Sequence, residues 1–272
     1  MKGIAFGQYY PAKSPLHRLD PRVKIILTIL YIVCAFLCKN VLSYALLLFS
    51  AILLVLFGRI PIKMILRGLR PVLFVLVFTA ILNVFLTKGD ALLFEWRFIK
   101  IYTEGIYAAA FIAVRIFALI IGTGMFLTYT TTPIALTNAI EDILTPLKVF
   151  RIPVHTFAMM MTIALRFIPT LSEETEKIMT AQKARGADFS SGGVVSRAKA
   201  LIPVLIPLFV SAFNRAEDLA TAMECRCYHG GDGRTRMNVR RVRFVDIIPL
   251  VLIVAFGAGI ILLNMYGFLY TA

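Results

Sequence analysis

Apolar runs separated by short polar breaks dominate this chain. Val23–Cys38 and Val41–Phe57 are two such runs, and the three-residue break around Lys39-Asn40 predicts a tight helical hairpin. Val72–Leu86 is the third, ended by Thr87-Lys88-Gly89-Asp90, and Ile106–Tyr129 is the fourth, with one internal charge, Arg115. Asp246–Tyr270 is the last, uncharged from Ile247 to Leu263. A membrane-crossing helix needs about 20 mainly apolar residues. The first two runs are a little short, and five spans are expected. Two further runs are ambiguous. Val154–Leu171 is long enough to span but holds His155 and Arg166; Leu201–Phe213 is too short and holds Pro203 and Pro207.

The segment 130–244 is too long for an unstructured connection. Thr132-Pro133 opens a helix to about Thr145, with Thr as cap and Pro in the first turn. Pro146 and Pro153 then break the chain. A long helix follows to about Ala187, bent near Pro169. After a turn at Ser191-Gly192-Gly193 another runs from about Ser196 to Tyr228, bent near Pro203 and Pro207, and His229-Gly230-Gly231-Asp232-Gly233 stops it. The pattern predicts an all-α polytopic membrane protein: an N-terminal arm over 1–22, four spans over 23–129, a cytoplasmic region of long helices over 130–244 and a last span over 245–272.

Composition supports the membrane assignment. Of 272 residues 59% are hydrophobic and 16% charged, with a mean hydropathy of +0.83. A soluble domain is about 45–50% apolar and about 25% charged, and a disordered chain is more polar still. The net charge of +14 then needs a location. With the N-terminus in the cytoplasm, five cations fall in or just after the N-terminal arm (Lys2, Lys13, Arg18, Arg22 and Lys24), four between spans two and three, and fifteen in the long segment, so 24 of the 29 lie inside. This is a positive-inside pattern with five spans, N-in and C-out. The basic excess is therefore an orientation signal, and no nucleic-acid partner is expected. Trp96 and Tyr102 fall in an outer loop, at interface positions. The first 22 residues are polar, without the apolar core of a signal peptide.

The long segment contains a repeat. Glu176-x-x-x-Thr180-Ala181-x-x-x-Arg185 matches Glu217-x-x-x-Thr221-Ala222-x-x-x-Arg226 at a constant offset of 41 residues. Each Arg falls in the last turn of a long helix beside small residues, Ala184 and Gly186 in one copy and Cys225 and Cys227 in the other. If Val154–Leu171 crossed the membrane, the two motifs would face opposite compartments. It is simpler that neither ambiguous run spans and both motifs face the cytosol. A 30-residue helix is about 45 Å long, enough to reach a cytosolic partner. Met159-Met160-Met161 suits an adaptable surface or an ordinary packed one. A helix-end Arg can simply complement the helix dipole. Its duplication beside small residues argues instead for two projecting anchors, since Arg pairs bidentately with carboxylates and is enriched at binding hot spots. Two matched anchors suit two copies of a cytosolic protein.

Other chemistry is absent. No Walker motif, HExxH or GxSxG occurs. Cys34, Cys38, Cys225 and Cys227 form no CxxC, and three histidines do not suggest a metal site. Gly230–Arg234 is glycine-rich but follows a helix, where it reads as a stop, and His17 near Asp20 reads as a local hydrogen bond. Arg115 is the one charge placed inside a span. An intramembrane Arg is a functional candidate, with a buried pair or a neighbouring subunit as the structural alternatives. The chain thus shows no catalytic residue, metal site, cofactor site, energy source or substrate path of its own. A self-contained secondary transporter is the competing class and calls for more polar residues in the spans.

The motifs resemble a known family. Gly7-Gln8-Tyr9-x-Pro11-x-x-Ser14-x-x-His17-x-Leu19-Asp20-Pro21-Arg22-x-Lys24, Ala184-Arg185-Gly186, Glu224-Cys225-Arg226-Cys227-Tyr228 and Gly233-Arg-Thr-Arg236 resemble the transmembrane T component (EcfT) of energy-coupling factor (ECF) transporters. That family's second motif reads Ala-Arg-Gly, where this chain has Cys-Arg-Cys. Without the glycine, the backbone geometry of the second helix end is left open. The resemblance implies that two ABC-type ATPase subunits (EcfA/EcfA′-like), which bind ATP and Mg, dock on the two Arg motifs. It also implies a separate membrane-embedded S component that captures a vitamin or other micronutrient. The chain would be a non-catalytic scaffold in the bilayer of a bacterial cell membrane, carrying ATP-driven motion through its coupling helices. The vitamin-type opening implies a module shared among several S components. Glu176, Glu217 and Glu224 would support the coupling helices.

Overall fold

The computed structural model describes residues 9–12, 14–87, 92–96, 99–189, 191, 193–230 and 243–265. Gly7, Gln8, Gly231–Arg236 and the C-terminal Tyr270-Thr271-Ala272, which carry parts of the motifs and topology above, lie outside the described residues, as do Lys88-Gly89-Asp90 and Gly192. The chain divides into two compact units, one of Gly7–Leu136 with Val239–Ala272, the other of Met1–Phe6 with Thr137–Asn238.

The first unit begins with one turn, α1 (Pro15–Arg18), followed by α2 (Pro21–Leu37), α3 (Val41–Gly58) and α4 (Ile62–Leu86). A two-stranded antiparallel hairpin follows, β1 (Leu92–Trp96) paired to β2 (Ile99–Tyr102), with Glu95 opposite Lys100. The apolar pattern gave no sign of this hairpin, and the side chain of Trp96 lies outside the described residues. Then come α5 (Thr103–Thr123), running into a π-helical turn at Gly124–Thr128, and, after the second unit, α9 (Phe244–Met265).

Helix α2 is the centre of this unit. Val23, Leu27, Tyr31, Cys34, Ala35 and Cys38 repeat at helical spacing and are all buried, against α5, its π turn and α9. Lipid tails are as apolar as leucine, so association of such helices depends on close contact rather than on hiding apolar surface from water. Small residues provide it: Ala35, Ala51 and Ala118 are among the most buried positions. Gly122 is the extreme case, since a Cβ there would lie 2.1 Å from the Tyr31 ring. The same ring stacks on Phe256 and meets Phe126 edge-on.

Helix ends match the sequence signals closely. Asp20 caps α2, its Oδ1 accepting from the Arg22 N–H at 2.9 Å, with Pro21 in the first turn. The hairpin expected at Lys39-Asn40 is present. Asn40 precedes α3, its N–H donating to Ser43 Oγ, while its side chain donates to the Leu263 carbonyl and Asn264 donates to the Leu37 carbonyl. One correction concerns α4, which begins ten residues before the apolar run at Val72 and carries Pro71 inside it. A proline removes one backbone donor and bends a helix without ending it when the surrounding turns stay bonded.

The second unit contains most of α6 (Pro133–Leu144), a 3₁₀ segment (Thr145–Phe150), α7 (Val154–Ala184) and α8 (Val194–Cys225). Glu141 pairs with His155 Nδ1 at 2.9 Å, tying α6 to the start of α7. Both long helices are continuous α-helix through Pro169, and through Pro203 and Pro207. Six described helices are long and apolar enough to cross a membrane: α3, α4, α5 with its π turn, α7, α8 and α9. The count differs from five in three places. The expected first span, α2, has 17 residues. Helices α7 and α8, not expected to span, are both long and apolar enough, α8 because its continuous helix extends beyond the Leu201–Phe213 run at both ends. The fold is an all-α polytopic membrane protein with one small hairpin.

Candidate functional site

The two repeated arginines end the two long helices in the same way. Arg185 follows α7 with φ −87°, ψ 7°, and Arg226 follows α8 with φ −92°, ψ 14°. After Arg185, the Gly186 N–H donates to the Lys183 carbonyl at 3.0 Å and the Ala187 N–H to Gln182 at 3.0 Å. After Arg226, the Cys227 N–H donates to Glu224 at 2.8 Å and the Tyr228 N–H to Met223 at 3.0 Å. Each is a Schellman motif with Arg at the last half-helical position, followed by a left-handed residue. Gly186 has φ +89°, and Cys227 has φ +54°. Loss of the glycine in the second copy has therefore not changed the backbone. Cys227 adopts the conformation that glycine would take freely, at roughly 1–2 kcal/mol for its Cβ.

The side chains are presented outward. Ala184, Arg185, Gly186, Cys225, Arg226 and Cys227 are all exposed, and so are Glu176, Glu217 and Glu224. A Cβ at Gly186 would meet nothing within 4 Å, so open space surrounds that turn. Neither guanidinium has a side-chain partner among the described residues. A cation at a helix C-terminus complements the dipole, but these two leave their donors available for a carboxylate from another chain.

The two ends belong to crossing helices. Arg215 Nη2 of α8 donates to Glu174 Oε2 of α7 at 2.7 Å. From this contact 11 residues lead to each Arg, about 16 Å of helix. The connection from Ala184 to Val194 reaches at most about 35 Å, too short for two helices running parallel from that crossing. The arms therefore diverge, which sets the two arginines on the order of 20 Å or more apart.

Arg115 has a different role. It donates from Nη2 to the carbonyl of Cys38, the residue that caps α2, at 3.0 Å and to the hydroxyl of Tyr44, and its guanidinium lies over the rings of Tyr44 and Phe36. Its charge is placed at the negative end of the α2 dipole. Sequence reasoning missed its counterpart. Lys24, treated above as an orientation charge, is 1% exposed, and its Nζ donates to the Thr130 carbonyl at 2.9 Å beyond the end of α5. Thus α5 supplies a cation to the end of α2, and α2 supplies one to the end of α5. Around Lys24, Asp246 is buried and accepts from the backbone N–H groups of Asp20 and Arg243. His17 makes the expected local bonds, but to Ser14 and the Tyr10 carbonyl rather than to Asp20. A lysine in the first turn of a helix opened by Asp-Pro, at the start of an apolar run, was the legible signal for this cluster. Among the described residues no group of His, Cys, Asp and Glu could hold a metal ion.

The family model for cobalt transport protein, CbiQ, matches residues 12–237. The energy-coupling factor transporter transmembrane protein EcfT of Ruminiclostridium cellulolyticum is 52% identical over 268 residues, covering 98% of this chain and all of that protein. Those of Clostridium kluyveri and Bacillus subtilis are 49% and 48% identical, covering 91% and 87% of this chain and 92% and 89% of theirs. With paired arginine turns on two long helices, an apolar helical framework and relatives matched nearly end to end, the chain belongs to the EcfT family of energy-coupling factor transporter transmembrane components.

Proposed function

We propose that this chain is the non-catalytic scaffold of an ATP-driven importer, and that Arg185 and Arg226 each anchor one ABC-type ATPase subunit. One observation carries the reading: two exposed arginines, on helix ends with the same backbone bonds, with no side-chain partner among the described residues. Such a pair fits two like grooves lined by carboxylates. ATP and Mg belong to the ATPases, and this chain holds no cofactor. A membrane-embedded S component supplies the substrate site for a vitamin or other micronutrient. The exposed apolar side chains of α8, among them Ile206, Phe209 and Phe213, suit contact with such a partner or with lipid. ATP-driven movement at the arginines travels along α7 and α8 to that partner.

In this reading the protein sits in a bacterial cell membrane, with its N-terminus cytoplasmic and C-terminus outside. α7 and α8 are long enough to cross, but placing both arginine turns in the cytosol favours five spans. A thiol label at S191C is expected to react only from the cytosolic side; reaction from outside restores a seven-span topology. For the anchors, Arg185→Glu with Arg226→Glu is expected to abolish co-purification of the ATPases. Unchanged retention and uptake would falsify the assignment.

A further inference from the structure

The 41-residue offset that relates Arg185 to Arg226 also relates Glu174 to Arg215, the two residues in contact where α7 and α8 cross. Contact between equivalent positions is what a two-fold arrangement produces at its axis. Identical copies would bring like charges together there. These copies carry opposite charges, so the place of self-contact has become a complementary one. Arg215 is also oriented from its own helix, its Nε donating to Ser211 Oγ one turn earlier at 3.4 Å. Apart from this pair the crossing has no buried core: within two turns of Glu174 on α7, and of Arg215 on α8, no residue is buried. Contact between half-exposed side chains leaves sliding and rotation of the helices weakly resisted, whereas a charged, hydrogen-bonded pair is directional.

We propose that Glu174 and Arg215 are positioning residues, an ion pair that fixes the crossing of the two coupling helices and so fixes the separation of the two anchors. The proposal rests on the reading of Arg185 and Arg226 as ATPase anchors. With arms of equal length, movement of one anchor is passed through the pair to the other. Without the pair each helix still forms, but the arms no longer move as one body.

Nitroxide labels at K183C and E224C, equivalent positions in the last turns of the two helices, report the arm separation in a C225S/C227S background. In the purified protein in lipid nanodiscs, pulsed electron spin resonance is expected to give one narrow distance distribution. Arg215→Glu is expected to broaden it about twofold, and Glu174→Arg with Arg215→Glu to restore it, as a true pairwise coupling requires. Arg215→Gln serves if the reversed charge impairs folding. An unchanged width in the Arg215 variant, or no recovery in the swap, overturns the proposal. In the complex with the ATPases, ATP is expected to shift the wild-type distance as one population and the Arg215→Glu distance as two; a single shifted population in both overturns it as well. Failure of the wild-type chain to retain ATPases would remove the anchor reading while leaving the distance result in free protein intact.

Discussion

Two pairs of helix-end cations, one pair in each unit, are used in opposite ways. In the unit built on α2, Lys24 and Arg115 are turned inward, and each donates to a carbonyl at the end of a neighbouring helix. In the unit built on α7 and α8, Arg185 and Arg226 also sit at helix ends, yet they point outward and bond to no side chain among the described residues. Helix-end chemistry is common to all four. The difference is whether the donors are satisfied within the chain. Inward cations hold helices together, and outward ones are available to a second protein. The repeat marked the outward pair in the sequence, whereas nothing in the repeat or the charge pattern marked Lys24 as an inward one.

Four tests, using six substitutions, sharpen this contrast, from the largest effect to the smallest. Arg185→Glu with Arg226→Glu is expected to lower ATPase capture by 100-fold or more, on the order of 3 kcal/mol, with the thermal midpoint of the free protein unchanged. A fall in that midpoint would show that these arginines are structural after all. Lys24→Met should do the reverse, lowering stability by roughly 2–4 kcal/mol because the buried Thr130 carbonyl loses its charged donor. Thermal unfolding in detergent measures it, and a neutral result would refute the capping role. Gly122→Ala drives a methyl into the Tyr31 ring and is expected to cost about 1–3 kcal/mol, seen in the same assay. The smallest effects form a matched pair at the arginine turns. Cys227→Gly should stabilise by about 0.5–1 kcal/mol and Gly186→Ala should destabilise by about the same. Like signs in the two variants would mean that the turns are not equivalent.

Much of this was readable beforehand, for identifiable reasons. The break at Lys39-Asn40, the Asp20-Pro21 start of α2 and the Thr132-Pro133 start of α6 rest on local bonding rules, and local rules survive tertiary context. The 41-residue repeat located both arginine turns from residue identity alone. The length of α8 through Pro203 and Pro207 was readable, but that of α4 across Pro71 was not, because a proline ends a helix only when nothing on either side holds the turns together. The left-handed Cys227 was also hidden: its conformation is imposed by two backbone bonds that no side chain announces. The role of Lys24 depends on a carbonyl 106 residues away, and its charge fitted the orientation pattern equally well.

The reciprocal capping of α2 and α5 has a consequence for how the protein is made. At 17 residues α2 is about 25 Å long, short of the roughly 30 Å hydrocarbon layer, and it carries a lysine one turn inside. When the ribosome has delivered only this helix and its hairpin partner, the Lys24 ammonium has no Thr130 carbonyl to meet and the Cys38 carbonyl has no arginine. Insertion of the first segment is then provisional, and it becomes final only when α5 has been synthesised and has folded back beside it. The order of translation and the order in which helix ends are satisfied are therefore different in this chain: the ends of α2 wait for residues more than seventy positions further on.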